Sequence, residues 1–261
     1  RANHSATHLV HEALRRRLGD HITQKGSLVS ADRMRFDISH PKAITTEELV
    51  MVEEDVNEQI RANSKVTTRL MEPDTAVEAG AMALFGEKYG EEVRVVSMGQ
   101  DGSKKSNRIY STELCGGTHV DRTGDIGLFK IVSESAVAAG VRRIEVVTGK
   151  GAEAFTRLQE FALREVAGVL KTSPEKAVER LERLVKERRQ LERELQNARR
   201  ELATNGGGGS KPKSKDLGGI SLIRKTLEGM PARELKNLVD GMKGELSSGV
   251  VAIISNTDGK A

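Results

Sequence analysis

Apolar positions along the first 150 residues follow two periods. Ala6, Leu9, Val10, Ala13 and Leu14 fall three and four apart, which predicts a helix with Asn3 as N-cap, running to Leu18 and stopped by Gly19. Gly26 to Ser30 and Arg33 to Ser39 read as a hairpin, because Met34, Phe36 and Ile38 alternate with Arg33, Arg35 and Asp37. Thr45 to Asn63 predicts an amphipathic helix with Leu49, Val52, Val56 and Ile60 inward, followed by a short helix over Thr75 to Phe85. Strands are expected at Val93–Met98, Arg108–Leu114, Gly127–Val132 and Val141–Thr148. Helices mixed with antiparallel strands give an α+β domain over 1–150.

From Gly151 the texture changes. A helix to about Leu170 is followed by a Thr172/Ser173 start signal before Pro174 and a second helix to about Ala203. In that second helix Ala177, Leu181, Leu184, Leu191, Leu195, Ala198 and Leu202 keep a heptad spacing, interrupted by Arg188. Residues 151–205 therefore read as a long helical hairpin in which Phe155, Leu158, Ala162 and Val169 pack back, with a dimeric coiled coil as the alternative. Residues 206–215, rich in Gly and Lys, read as a flexible linker. Residues 216–261 read as a partial α/β domain: a strand at Ile220–Ile223, a helix at Ala232–Lys243 and a strand at Val250–Ser255.

Charge changes this picture little. The 42 basic and 38 acidic residues leave a net of +4, and residues 1–150 carry 21 basic against 22 acidic groups, so that part is no polycation. Nucleic-acid affinity would have to come from local patches or from the C-terminal half. Aromatic residues make up 3% with no Trp, which argues against extended base stacking. One cysteine excludes an internal disulfide framework and fits a reducing, cytoplasmic setting. No apolar run is long enough for a membrane span, and there is no signal peptide. Opening at Arg1 rather than Met, the sequence reads as a fragment of a longer protein.

Two spaced pairs carry the chemistry. His4-Ser-Ala-Thr-His8 puts two imidazoles one helical turn apart on one face. Cys115-Gly-Gly-Thr-His119 contains adjacent glycines that suit a tight turn, folding the only cysteine back toward His119. Imidazole and thiolate donors in these numbers suit Zn²⁺ better than Mg²⁺ or Ca²⁺. Spacing leaves open whether such a site is closed and structural or keeps a position for chemistry. His11, His21 and His40 are read as structural or solvated.

Asn3-His-Ser-Ala-Thr-His-Leu9, Gln24-Lys-Gly-Ser-Leu28, Arg35-Phe-Asp37, Gly80-Ala-Met-Ala-Leu-Phe-Gly86, Glu113-Leu-Cys-Gly-Gly-Thr-His119, Thr123-Gly-Asp-Ile-Gly127 and Gly140-Val-Arg-Arg-Ile-Glu145 together resemble the editing domain of bacterial alanyl-tRNA synthetases. The two His- and Cys-containing pairs alone are shared with free-standing alanyl-editing proteins and the threonyl-tRNA synthetase editing domain. The remainder resembles the helical connector and the first part of the C-terminal tRNA-binding domain of the same family, which tethers tRNA and can support a homodimer.

This resemblance implies hydrolysis of mischarged Ser-tRNA(Ala) and Gly-tRNA(Ala) at a zinc held by His4, His8, Cys115 and His119, working beside the rest of the synthetase chain. The ATP-dependent ligase site is absent from this part. A zinc there has three available roles: activating water, binding the aminoacyl group, or shaping the pocket. Gln24 is the expected catalytic or substrate contact, with Thr7 and Ser27 as further substrate-binding candidates. Cys115 is expected, with Gln24, to be a catalytic residue, acting there as a ligand and not as a covalent nucleophile. Lys104, Lys105 and Arg108 lie in a basic insert that reads either as a surface loop or as a contact to the tRNA 3′ end. Arg142 and Arg143 read either as RNA-backbone contacts or as a surface charge pair. Two other readings stand beside this one: a non-catalytic zinc-stabilised tRNA-binding or oligomerisation module, and editing of a different mischarged tRNA.

Overall fold

The structure is a computed structural model that describes residues 1–78, 80–82, 91–101, 109–205, 214–228, 230, 232–244, 246 and 248–256. The fold is α+β with antiparallel sheets and helices, and the chain forms two compact units, Arg1–Leu163 and Arg164–Ala261.

In the first unit, helix α1 (Ala2–Leu18) is followed by strands β1 (Gln24–Val29) and β2 (Met34–Ser39). Helix α2 (Thr46–Arg61), strand β3 (Thr67–Met71), helix α3 (Pro73–Glu78) and strands β4 (Val93–Gln100) and β5 (Ile109–Leu114) come next. Strands β6 (Phe129–Ala138) and β7 (Val141–Thr148) complete the sheets, and β7 runs straight into helix α4 (Gly149–Val169). One antiparallel sheet has the order β1-β2-β7-β6 and a second has the order β3-β4-β5.

The main core forms where α1 and α2 pack on one face of the four-stranded sheet. Leu9, Val10 and Leu14 of α1 meet Met34, Phe36, Ile38, Ile144 and Val146, with Val52 and Val56 of α2 alongside. Strand β4 is buried on both faces: Val96 and Met98 enter this core, while Val93 and Val95 join a smaller one with Ala76 and Ala81. On the other face of the four-stranded sheet, Asp37 lies directly opposite Arg143 and receives its guanidinium at 2.8 and 2.9 Å. That pairing holds the Asp37 carboxyl below the ordinary aspartate range.

Several expectations need correction. Asn3 is not the N-cap: it lies inside α1, donates from Nδ2 to the carbonyls of Ser30 and Ala31, and accepts from Thr148. The helix expected over Thr75 to Phe85 begins at Pro73 and has ended by Gly80, whose φ is +83°. The Ala81 N–H closes the helix end on the Ala76 carbonyl, and Met82 bridges to β5, where sheet hydrogen bonding overrides helical propensity. The rest of that predicted helix lies outside the described residues. Strand β3 was not foreseen, because Thr67-Thr-Arg-Leu-Met71 has exposed or half-exposed positions with no clean alternation. Gly19 does stop α1, with φ +117° and its N–H on the Arg15 carbonyl.

In the second unit, the end of α4 turns at Lys171 (φ +51°) and a short 3₁₀ segment, Pro174–Lys176, leads into helix α5 (Ala177–Asn205). Ala167 and Ala177 are buried. Leu158, Phe161 and Val169 of α4 and Leu181, Leu191 and Leu195 of α5 are all at least half exposed. Further along the chain, strands β8 (Lys215–Asp216), β9 (Ser221–Glu228) and β10 (Gly249–Asn256) form a small sheet in the order β10-β9-β8, with helix α6 (Ala232–Lys243) between β9 and β10 in sequence. Strands β9 and β10 are parallel with α6 between them, and Ile223, Met230, Leu238 and Met242 form the core. Among the described residues no helix is long and apolar enough to cross a membrane.

Helix α2 has a full capping box: the Thr45 hydroxyl accepts from the Glu48 N–H, and the Glu48 carboxylate accepts from the Thr45 N–H. We expect Thr45→Ala to lower the unfolding free energy by about 1 kcal/mol in urea titrations, with an unchanged far-ultraviolet spectrum.

Candidate metal centre

The site is assembled between the start of α1 and the turn that follows β5. Helix α1 has no exposed long face. Its apolar stripe enters the main core, and a second stripe carrying Ser5, His8 and His11 is also buried. Strand β5 crosses that second stripe and ends in Cys115-Gly-Gly-Thr-His119. The chain here is pinned on several sides: the Cys115 N–H donates to the Arg94 carbonyl, the Leu114 N–H to the Met82 carbonyl, and the Val120 N–H to the Ser5 hydroxyl. From β4, the Arg94 guanidinium donates to the carbonyls of Cys115 (3.0 Å) and Gly117, fixing the inner edge of the turn.

The result is four donors, one each from His4, His8, Cys115 and His119, with ligand atoms all within 4.8 Å of one another. The three imidazoles face each other with centroid separations of 4.6, 4.9 and 5.5 Å, and the Cys115 sulfur lies 3.6 Å from His4 Nε2. Each Nδ1 is engaged: His4 with the Thr118 carbonyl (3.2 Å), His8 with Glu113 (2.6 Å) and His119 with the Ser5 hydroxyl (3.3 Å). A carbonyl and a carboxylate only accept, so in their neutral forms His4 and His8 carry the proton on Nδ1 and leave Nε2 as the lone-pair donor. Nε2 of His8 and of His119 is buried with no hydrogen-bond partner among the described residues. An unmet buried polar atom costs about 1–3 kcal/mol. Two of them beside a cysteine sulfur fit a bound metal ion.

The electrostatics agree. Burial opposes ionisation of the Cys115 thiol, yet the neighbouring imidazoles of His119, His4 and His8 outweigh it and push the thiol down to about 3. Burial likewise opposes the Glu113 carboxylate, and its bonds to His11 and His8 bring it down to about 2. For His8, burial is outweighed by Cys115 and Glu113, which raise it to about 9. Desolvation lowers His119. The site is thus built around two anions, Glu113 buried and Cys115 half-buried.

Of the other residues singled out from sequence, Gln24 sits half-exposed at the start of β1 and donates to the Ser27 hydroxyl at 3.2 Å. Thr7 is buried, and its hydroxyl donates to the Asn3 carbonyl one turn back, which leaves it no free donor for a ligand. Arg142 is paired with Glu134 (2.6 Å) and Arg143 with Asp37. Lys104, Lys105 and Arg108 lie outside the described residues. His11 is buried and bonded to Glu113 at 2.9 Å, while His21 and His40 stack on each other with a 3.0 Å contact between ring nitrogens. Sequence reasoning missed Glu113, Ser5 and Arg94. A signal for Glu113 was present: two residues before Cys115 on a strand, it shares that residue's face. Ser5 and Arg94 left no such trace.

Residues 93–145 match the family described as the threonyl and alanyl tRNA synthetase second additional domain. The whole chain is 55% identical to an alanine–tRNA ligase of Rhizorhabdus wittichii and 56% identical to one of Parvibaculum lavamentivorans, covering 30% of each. It is 54% identical to that of Paramagnetospirillum magneticum, covering 28%. The chain therefore spans under a third of the length of the relatives it matches.

Two outcomes follow from this geometry. A Cβ on Gly117 would overlap the His4 ring, 2.6 Å from Nδ1, whereas one on Gly116 meets nothing within 4 Å. We expect Gly117→Ala to weaken zinc affinity at least about tenfold in chelator competition, the scale of disturbing a ligand's support, and Gly116→Ala to leave it unchanged. In chelator-stripped protein, the depressed Cys115 pKa keeps the thiolate populated as pH falls from 9 toward 3. Alkylation by iodoacetamide should therefore stay nearly flat over that range and fall only near pH 3. An ordinary thiol, by contrast, would lose about tenfold per pH unit below its pKa.

Proposed function

Because this chain belongs to the alanine–tRNA ligase family, we propose that it is the part that hydrolyses mischarged Ser-tRNA(Ala) and Gly-tRNA(Ala), using a zinc held by His4, His8, Cys115 and His119. The observation that carries this reading is the convergence of three imidazoles and a thiolate with two buried imidazole nitrogens unpartnered. Soft and borderline donors in fourfold number favour zinc over hard cations.

The need for such a reaction follows from binding physics. A pocket shaped for a methyl group discriminates weakly against glycine or an added hydroxyl, since one small group is worth about 1–3 kcal/mol. A second site then removes what the first admits. The reaction is addition of water across the aminoacyl ester, releasing the free amino acid and the tRNA 3′ hydroxyl. When bound, zinc supplies Lewis acidity at this site.

The chain's own residues hold and orient. His4, His8, His119 and Cys115 bind the ion; the Thr118 carbonyl, Glu113 and Ser5 set the imidazole rings. The Cys115 sulfur, surrounded by imidazoles, acts as a ligand and not as a nucleophile. Gln24, half-exposed on β1, is our candidate for contacting the substrate hydroxyl, with Ser27 beside it. Thr7 belongs to the supporting shell. The partners in this reading are tRNA(Ala), contacted in part through the basic residues Lys104, Lys105 and Arg108, and the rest of the synthetase. The second unit contributes tRNA tethering or dimerisation, and the setting is the cytoplasm. The threonyl half of the family description favours one alternative, deacylation of another mischarged tRNA.

We expect Cys115→Ala to reduce Ser-tRNA(Ala) hydrolysis by at least about 100-fold, beyond the usual loss from an outer-shell change, with zinc content falling in the same sample. Unchanged hydrolysis would end this reading. Ala-tRNA(Ala) and Ser-tRNA(Thr) assayed side by side separate the alternative.

A further inference from the structure

Among the described residues Glu113 is the one buried carboxylate in contact with the centre, and the reading above gives it no part in binding substrate. It sits in β5, held through its backbone neighbours by β4 on one side and by the Met82 bridge on the other. Its two oxygens are both used: Oε2 accepts from His8 Nδ1 at 2.6 Å and Oε1 from His11 Nδ1 at 2.9 Å. His8 and His11 are three apart on α1, so one helix face delivers two imidazoles to a single carboxylate. His11 is not among the four convergent donors. Its ring packs edge-on against Phe36 at 5.4 Å, and its Nε2 has no partner among the described residues. Among the described residues its only side-chain polar tie is therefore Glu113.

We propose that Glu113 is the positioning residue of the centre and His11 its buried anchor: the pair fixes the tautomer and ring plane of His8 so that Nε2 is always presented to the ion. This rests on the metal-centre reading above and goes beyond it. Buried, and with each oxygen already accepting an imidazole N–H, Glu113 is placed to hold His8 and not to act as a general base. A carboxylate held by His8 alone would swing about its own side-chain bonds; a second imidazole from the same rigid helix removes that freedom. Outer-shell carboxylates of this kind typically govern about 10- to 100-fold in metal affinity.

The test uses the full 261-residue chain, with Zn²⁺ affinity from chelator competition and the Co²⁺ thiolate charge-transfer band as the signature of ligation. Glu113→Ala should weaken Zn²⁺ about 10- to 100-fold and alter the cobalt band. Glu113→Gln, whose amide oxygen still accepts from His8, should restore much of that loss. His11→Phe should produce a smaller loss, and Glu113→Ala combined with His11→Phe should be no worse than Glu113→Ala alone, the non-additivity expected of one unit. Wild-type affinity and spectrum in a folded Glu113→Ala variant overturn the proposal. If that variant does not fold, wild-type affinity in both Glu113→Gln and His11→Phe does so. A wild-type chain that binds one ion with the thiolate band but does not hydrolyse Ser-tRNA(Ala) ends the deacylase reading and leaves this proposal standing. A wild-type chain that takes up no ion ends both.

Discussion

Burial of α1 on two sides is the constraint on which the first unit depends. A helix buried along one stripe needs only apolar residues facing the core. This one is also covered on a second stripe that carries Ser5, His8 and His11, and every buried polar atom there needs a partner. Those partners come from distant elements: Glu113 on β5, Thr118 and Val120 from the following turn, and Ser30, Ala31 and Thr148, which meet Asn3. Satisfying the helix's polar groups therefore dictates where β5, the turn and the β1–β2 hairpin lie. The same hydrogen bonds that close the fold set the imidazole rings of the site.

Charge is the second constraint, and it reads as a sum. Glu113 and Cys115 bring two negative charges into a mostly buried space. The imidazoles are neutral donors when they ligate, so a divalent cation balances the cluster, whereas protons on His8 and its neighbours balance it otherwise.

Much of this was legible in the sequence wherever a period or a fixed spacing carried the signal. The α1 stripe, the Met34-Phe36-Ile38 alternation, the amphipathic face of α2 and the four donors all appear where the pattern places them, because each reflects local geometry. What could not be read were features set by a distant partner. Asn3 has the chemistry of an N-cap but is claimed by backbone carbonyls of the hairpin. Met82 lies in an apolar, helix-forming run and is drawn into an extended bridge by β5. The apolar face of α5 keeps a heptad rhythm, yet Leu191 and Leu195 remain exposed, since periodicity states that a face is apolar without saying what covers it. Glu113 lay between the two cases: its strand position was legible, its two histidine partners were not.

The separation of the two halves of the centre along the chain has a thermodynamic consequence. His4 and Cys115 are 111 residues apart, and everything from α1 through β5 lies between them. An ion shared by both halves is a cross-link, equivalent in kind to a reversible disulfide closing most of the first unit into one ring. For a loop of that size, chain entropy alone puts the effect near 4–5 kcal/mol, comparable to a large share of a domain's net stability. Loading would then act on every strand threaded through the ring, including those that touch none of the four donors. The unit would owe its resistance to unfolding to the occupancy of one site at its edge as much as to the packing at its centre.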